Sequence, residues 1–369
     1  MQEVQSPFAA SRCAMTEEKI MEKLKMAIIG SGQIAQVTHI PNYQSMEEVK
    51  IVGISDTRLE AAKSVAEKFQ IEKYYDSHKK MLEECRPDAV TVCVPNKFHS
   101  SITMDALEAG CHVFCEKPPA ITAQEARNME EKAKEKNLFL SYGFHFRASE
   151  QVAFLKKAIE SGQMGEIYHA DVQWHRRRGI PGWGSFTNKE IQGGGPLIDI
   201  GAHMLDSALY LMGYPKVSYV CATYSDRLGK SSKAGLMGSW DTERFTVEDS
   251  LFGFVRFADG TSLNLQTSFA INRAEKDVRS VKLYGSCQGA DLFPLRVFGE
   301  ENGQLYDKDY PFMEMRDWHL DLDRNFVKAC LGEESLLVTA RQGTYIQELI
   351  CMLYQSAESG EPVMSREGI

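Results

Sequence analysis

Between residues 25 and 145, short and uniformly apolar runs alternate with amphipathic segments, and this rhythm restricts the fold more than any other feature. "KMAIIG" is followed by "QIAQVTHIPNYQS", "VKIVGIS" by "LEAAKSVAEKF", "DAVTVCVP" by "SITMDALEAG" and "HVFCEKP" by "AQEARNMEEKAKEKN"; "LFLSYGFHF" closes the series. Strands with no wet face belong to a parallel sheet covered by helices on both sides. The expectation is a doubly wound α/β Rossmann domain over 25–145, behind a polar tail at 1–24 in which Met15 is an alternative start. After Phe146 the rhythm changes. The helical "ASEQVAFLKKAIESG" leads to "EIYHADVQWH", which alternates at period two, and then to a glycine-rich loop and further strand-like runs. Asp259-Gly260 marks a hairpin turn within "SLFGFVRFADGTSLNLQTSFA". Clustered strands closed by two helical segments predict an α+β domain over 146–369, built on a large, mainly antiparallel open sheet.

A chain of 369 residues has room for two such cores. A net charge of −9 argues against a nucleic-acid partner, because phosphate binding needs a basic surface. No apolar run approaches the ~20 residues that cross a bilayer, and the start lacks the apolar core of a secretory signal. Nine scattered cysteines without a CxxC pair suggest reduced thiols and no metal centre. Together these point to a cytoplasmic protein without a membrane partner.

Gly30-Ser-Gly32-Gln33-Ile34-Ala35 is a GxGxxA element placed after a strand and opening a helix, the context in which it binds a dinucleotide. Gly30 permits the turn, Gly32 admits a pyrophosphate, the helix N-terminus attracts it, and Ala35 lets helix and sheet lie close. Asp56, at the end of the next strand, suits the adenosine ribose and repels a 2′-phosphate, favouring NAD over NADP. Arg58 beside it would face a phosphate or lie on adenine. Two further strand ends carry unusual residues: Val94-Pro95-Asn96 with His99 a turn later, and Glu116-Lys117-Pro118. Both prolines fix the backbone where nicotinamide would lie, and Lys117-Pro118 is a candidate cis bond. In "GGGPLIDIGAHMLD", Asp199 and His203 are four residues apart, on one face of a helix with Asp206, so that the carboxylate would orient the imidazole.

Taken in order, GxGxxA at 30–35, "VPNKFH" at 94–99, "CEKP" at 115–118 and "GGGPLIDIGAHMLD" at 193–206 resemble the glucose-fructose oxidoreductase/inositol dehydrogenase/rhizopine-catabolism (Gfo/Idh/MocA) family. The resemblance implies an NAD-dependent oxidoreductase of sugars, glycosides or cyclitols, oligomeric through the sheet of its second domain. It places Lys117, Asp199 and His203 between nicotinamide and substrate, in proton transfer and alkoxide stabilisation, with either His203 or Lys117 as the base. Gly30, Gly32, Gln33, Ile34, Asp56, Arg58, Val94, Pro95, Asn96, His99, Glu116 and Lys117 would line the cofactor. His145 stands where the family often has asparagine, and either contacts substrate or is a local substitution; Arg147 fits the family pattern. "HRRRGIPGWGSFTNK" resembles a loop of members acting on glucosides and anhydrosugars, which adds Arg178 and Trp183 to the substrate set and suggests oxidation at a glycoside C3. Two other readings stand beside this one: a glycosidase working through transient oxidation by bound NAD, and a non-catalytic dinucleotide-binding sensor.

Overall fold

The computed structural model describes residues 23–232 and 234–365. Residues 1–22 of the tail, Met15 among them, lie outside the described residues, and the first strand starts at Leu24, inside the range read as tail. Six parallel strands form the first sheet: β1 (Leu24–Ile29), β2 (Val49–Ser55), β3 (Tyr74–Tyr75), β4 (Ala89–Val92), β5 (His112–Cys115) and β6 (Leu140–Tyr142). Their order is β3-β2-β1-β4-β5-β6. Consecutive residues Met26, Ala27 and Ile28 of β1 are wholly buried, as are Val90 and Val92 of β4, because helices cover both faces. The order reverses between β1 and β4, and such a switch point opens a crevice at the carboxyl ends of the strands.

The helix after β1 is not a uniform α-helix. It opens at the glycines, widens into a π turn at Ala35–His39, and continues as Ile40–Gln44. A second π turn, Leu197–Gly201, feeds the helix Ala202–Met212. Single π turns inside helices recur at functional sites, since the extra residue redirects the side chains around it.

Nine strands form the second sheet: β7 (Ile167–Arg176), β8 (Val217–Ser225), β9 (Ser250–Phe257), β10 (Ser262–Ser268), β11 (Asp277–Gly285), β12 (Gln288–Asp291), β13 (Arg296–Glu301), β14 (Gln304–Asp309) and β15 (Val363–Met364). The order is β14-β13-β12-β11-β7-β10-β9-β8-β15, antiparallel except for β7 with β10. Asp259-Gly260 turns β9 into β10, with Gly260 at φ +94°. Along β7 and β10, Ala170, Val172, Trp174, Leu263 and Leu265 alternate into the core. The 202–212 helix packs on β7 and β11. Asp171, Gln173, Asn264 and Gln266 line a depression of about 180 Å³ on the other face. Two C-terminal helices return to the first sheet. Trp318–Cys330 lies on the first helix, with Phe326 against Phe114, and Ala340–Ser359 lies on the helix Ala123–Lys136. The last two both begin with capping boxes, Thr122/Glu125 and Thr339/Gln342.

Candidate active site

Gly30 sits at φ +100°, and a Cβ there would overlap the Cys93 carbonyl, so only glycine allows this turn. At Gly32 a Cβ would meet nothing nearer than that same oxygen, at 3.9 Å. The space over the helix start is therefore open. Gln33 is exposed and Ile34 half-buried at the helix entry, while Ala35 is wholly buried beneath them. Asp56, at the end of β2, accepts hydrogen bonds from Ser31 N–H (3.1 Å), Ser31 Oγ–H (2.7 Å) and Arg58 N–H (3.0 Å). Burial acts to raise its proton affinity, yet these donors hold the carboxyl below its ordinary value. The Arg58 side chain is 82% exposed, its Nε 3.9 Å from Asp56. An open cradle of backbone N–H groups with an ionised carboxylate at the neighbouring strand end fits a dinucleotide.

The end of β4 is tied to the other domain. Asn96 Nδ2 donates to Gln192 O at 2.9 Å, and Lys97 pairs with Glu190 at 2.6 Å, while Val94 is half-buried and Pro95 exposed. His99, expected at the cofactor, turns the other way. Its ring nitrogens lie 2.7 Å from Pro118 O and 2.9 Å from Val94 O, and the side chain is buried. It clasps two strand ends together, with burial lowering its proton affinity.

Lys117 follows β5, and its bond to Pro118 is cis. Its Nζ donates to Asp199 Oδ1 at 2.6 Å and to Asp199 O at 3.0 Å. The expected Asp199–His203 pair is thus replaced by a pair between domains. An ammonium outcompetes a neutral imidazole for the carboxylate, and the π turn sets Asp199 one wide turn ahead of His203. His203 is buried and its Nδ1 has no hydrogen-bond partner among the described residues. Burial first, then the Lys117 charge, hold its proton affinity well below the ordinary imidazole value. His145 lies edge-on to His203 at 4.7 Å and stacks on His319 of the 318–330 helix at 3.7 Å. Burial, with His319 beside it, pulls His145 down to about 3, and burial lowers His319 too. Three neutral imidazoles therefore gather beside the Lys117–Asp199 pair, with Phe146 against His203 and against Trp174, Trp318 and Phe293.

The entry to this helix is fixed by Glu248, which no sequence pattern singles out. Its carboxyl accepts from Gly195 N–H (2.9 Å), Leu197 N–H (3.2 Å) and the Tyr354 hydroxyl (2.7 Å). The glycines at 194 and 195 let the backbone touch Tyr354 and Glu248, where any side chain would collide.

The other residues expected at the substrate have the following partners. Arg147 is buried, bound to Asp206 through Nε (2.9 Å) and Nη2 (2.6 Å), and also to Leu337 O, Gln342 and Tyr214. An arginine with no solvent-facing donor must pair internally, so it is a structural ion pair, and Asp206 is its partner. Arg178 is spent on the backbone of Arg177 and Ile271 and on Asn272. It is Arg176, over the Trp174 and Phe269 rings, whose charge reaches His203. Trp183 is 49% exposed and touches Phe186 edge-on. Glu116 turns back on its own strand end: its Oε2 accepts Lys117 N–H at 3.2 Å, and its Oε1 lies 3.1 Å from His39 Nε2. His39, His319 and Asp323 were invisible as site residues in the sequence because nothing in it brings the 318–330 helix to the first sheet.

Residues 24–144 match the family model described as Oxidoreductase family, NAD-binding Rossmann fold (GFO_IDH_MocA). Residues 152–290 match the GFO/IDH/MocA C-terminal domain. The chain is 42% identical over 340 residues to D-glucoside 3-dehydrogenase of Escherichia coli (strain K12), covering 92% of this chain and 97% of that one. It is 29% identical over 264 residues to levoglucosan dehydrogenase of Pseudarthrobacter phenanthrenivorans, covering 65% and 66%. Among solved structures, levoglucosan dehydrogenase in complex with NADH and levoglucosan superposes with a TM-score of 0.81 at 21% identity, covering 94% of this chain and 100% of that one.

Proposed function

We propose a function from one premise: the chain belongs to the Gfo/Idh/MocA family and is an NAD-binding oxidoreductase. Its reaction, in this reading, oxidises a D-glucoside at the ring C3 hydroxyl. The observation that carries it is the meeting of Lys117 with Asp199 across the two domains, beside His203, in a chain 42% identical to a D-glucoside 3-dehydrogenase. NAD, when bound, supplies the hydride acceptor; Asp56 favours it over NADP.

The chain's own residues handle the alcohol. Two hydrogen bonds to Asp199 engage two of the ammonium protons of Lys117 and leave one for the substrate oxygen, whose developing alkoxide it stabilises. His203 is unprotonated at neutral pH because burial lowers its proton affinity, so its ring can accept the hydroxyl proton. The aromatic side chains and neutral imidazoles around it hold the ring, and holding a substrate and a catalytic group together in reacting geometry is worth up to ~7–11 kcal/mol. The open face of the second sheet, where His169, Asn264 and Tyr284 converge on Asp171, would receive a second copy of the chain; light scattering reads its stoichiometry.

The test is incubation with NAD and methyl D-glucosides, inositols or free sugars, following NADH and the product by mass spectrometry. NADH with a 3-keto glucoside is the expected result. Sugar release without NADH would replace this reading with the glycosidase, and binding without turnover would replace it with the sensor.

A further inference from the structure

A buried row of alternating charges runs from the 318–330 helix to the strand end that carries Lys117. Asp323 is wholly buried, its two oxygens 3.0 and 3.1 Å from His39 Nδ1, and Asn42 Nδ2 donates to it at 2.8 Å. His39, in the π turn of the first helix and 1% exposed, reaches Glu116 Oε1 from its other nitrogen at 3.1 Å. The second oxygen of Glu116 receives the Lys117 N–H, and Lys117 Nζ ends on Asp199. A carboxylate only accepts, so an imidazole set between two of them donates from both nitrogens and is an imidazolium. Its affinity for the second proton is raised to about 10: burial opposes this, and Asp323 and Glu116 outweigh burial.

Nothing in the reaction above uses His39 or Asp323, and both are buried. What they govern is Glu116. From its own strand end it faces Lys117 and Cys115, and from the end of β4 it faces Cys93. The imidazoles of His99, His145 and His319 complete its surroundings, each held neutral by burial. Burial likewise keeps both thiols protonated. The cations facing Glu116 are therefore His39 and Lys117. The carboxylate lies close over the bare backbone of Gly143, where a Cβ would stand 2.7 Å from its Oε1, so only glycine leaves it this place.

We propose that His39, anchored by Asp323, is a positioning residue for Lys117: it holds the Glu116 carboxylate that grips the Lys117 N–H, and so fixes where the ammonium meets the substrate oxygen. The inference rests on the reading that Lys117 attends the reacting hydroxyl. The test compares wild type, the charge-free double variant H39Q/D323N, and E116Q. Removing both charges together keeps the hydrogen-bonding shapes and leaves no unpaired Asp323. In the ligand-free double variant, an infrared band of a protonated carboxyl should grow in as pH falls between about 8 and 5, and wild type should lack it there. With a glucoside and NAD, kcat of the double variant should fall at least about tenfold on the acid side, with KM little changed, and E116Q should show that low kcat at every pH. Should the double variant not fold, E116Q alone decides. Wild-type kcat in E116Q, or a double variant whose infrared titration or pH profile matches wild type, overturns the proposal. Were wild type inactive on every sugar, the functional reading would fall while the infrared titration still judged the hold on Glu116.

Discussion

Asp56→Asn should weaken NAD binding and strengthen that of NADP, with little disturbance elsewhere. In the structure one carboxylate oxygen takes both the N–H and the hydroxyl of Ser31, while the other takes the Arg58 N–H. Four acceptor sites less three leaves one for a ribose hydroxyl, and a second hydroxyl binds only by displacing that of Ser31. An asparagine carbonyl would keep the Ser31 pair and turn its amide toward Arg58, whose N–H is exposed, so folding should lose no more than about 1 kcal/mol. A hydrogen bond to a charged group is worth about 1.5–3 kcal/mol, so NAD affinity should drop about 10- to 100-fold. A doubly charged 2′-phosphate within about 5 Å of the carboxylate is repelled by roughly 2–7 kcal/mol for effective dielectric constants from 80 to 20, and removing the charge should tighten NADP at least about tenfold. Calorimetric titration of NAD and NADP into both proteins, at one ionic strength, measures the two ratios. Equal affinities in wild type, or an unchanged ratio in the variant, would show that Asp56 does not read the ribose.

Gly30→Ala should cost about 2 kcal/mol or more, because φ +100° and the Cys93 carbonyl both reject a side chain; a thermal melt and loss of NADH fluorescence enhancement check it. Arg147→Met leaves Asp206 buried without its counter-ion, so stability should fall by about 3–5 kcal/mol in urea while KM of the surviving native enzyme stays put. His203→Ala should lower turnover ~100-fold with NAD affinity retained, and unchanged turnover would remove His203 from the chemistry. The His39–Glu116 pair sets opposite pH slopes. Glu116 is lowered from 4.5 to about 2, so its contribution is present above 4.5 and lost as pH falls toward 2. His39 is raised from 6.5 to about 10, so its contribution is full below 6.5 and fades as pH rises toward 10. Melts of wild type should therefore be least pH-dependent, as far as this pair is concerned, between 4.5 and 6.5; in H39Q/D323N the His39 slope should vanish and the Glu116 slope reverse, stability rising as pH falls from about 8 to 5.

The parallel sheet was legible because burial on both faces leaves an unbroken apolar signature, as in "VKIVGIS", and the open sheet because half-burial leaves alternation, as in Ala170, Val172 and Trp174. The places of Gly30, Asp56 and Lys117 at a turn and at strand ends were legible because such positions carry local residue patterns. Partnerships were harder. Spacing of four residues makes Asp199 the expected partner of His203, but Asp199 pairs with a lysine from another domain. Arg147 looked like a substrate ligand because sequence does not show that its environment is sealed. His39 and Asp323 stand 284 residues apart and meet only because a late helix folds back over an early one.

The two π turns, Ala35–His39 and Leu197–Gly201, hold one residue more than an α-helix would need, and they carry His39 and Asp199. Each is a built-in insertion. Removing a single residue from either would restore a regular helix, and with it a good local structure, while rotating His39 or Asp199 about 100° relative to the rest of its helix. Such a deletion would leave the secondary structure untouched and break the row of charges at one link. The length of these two segments, counted in residues, is therefore as much a part of the site as the identity of any side chain in it.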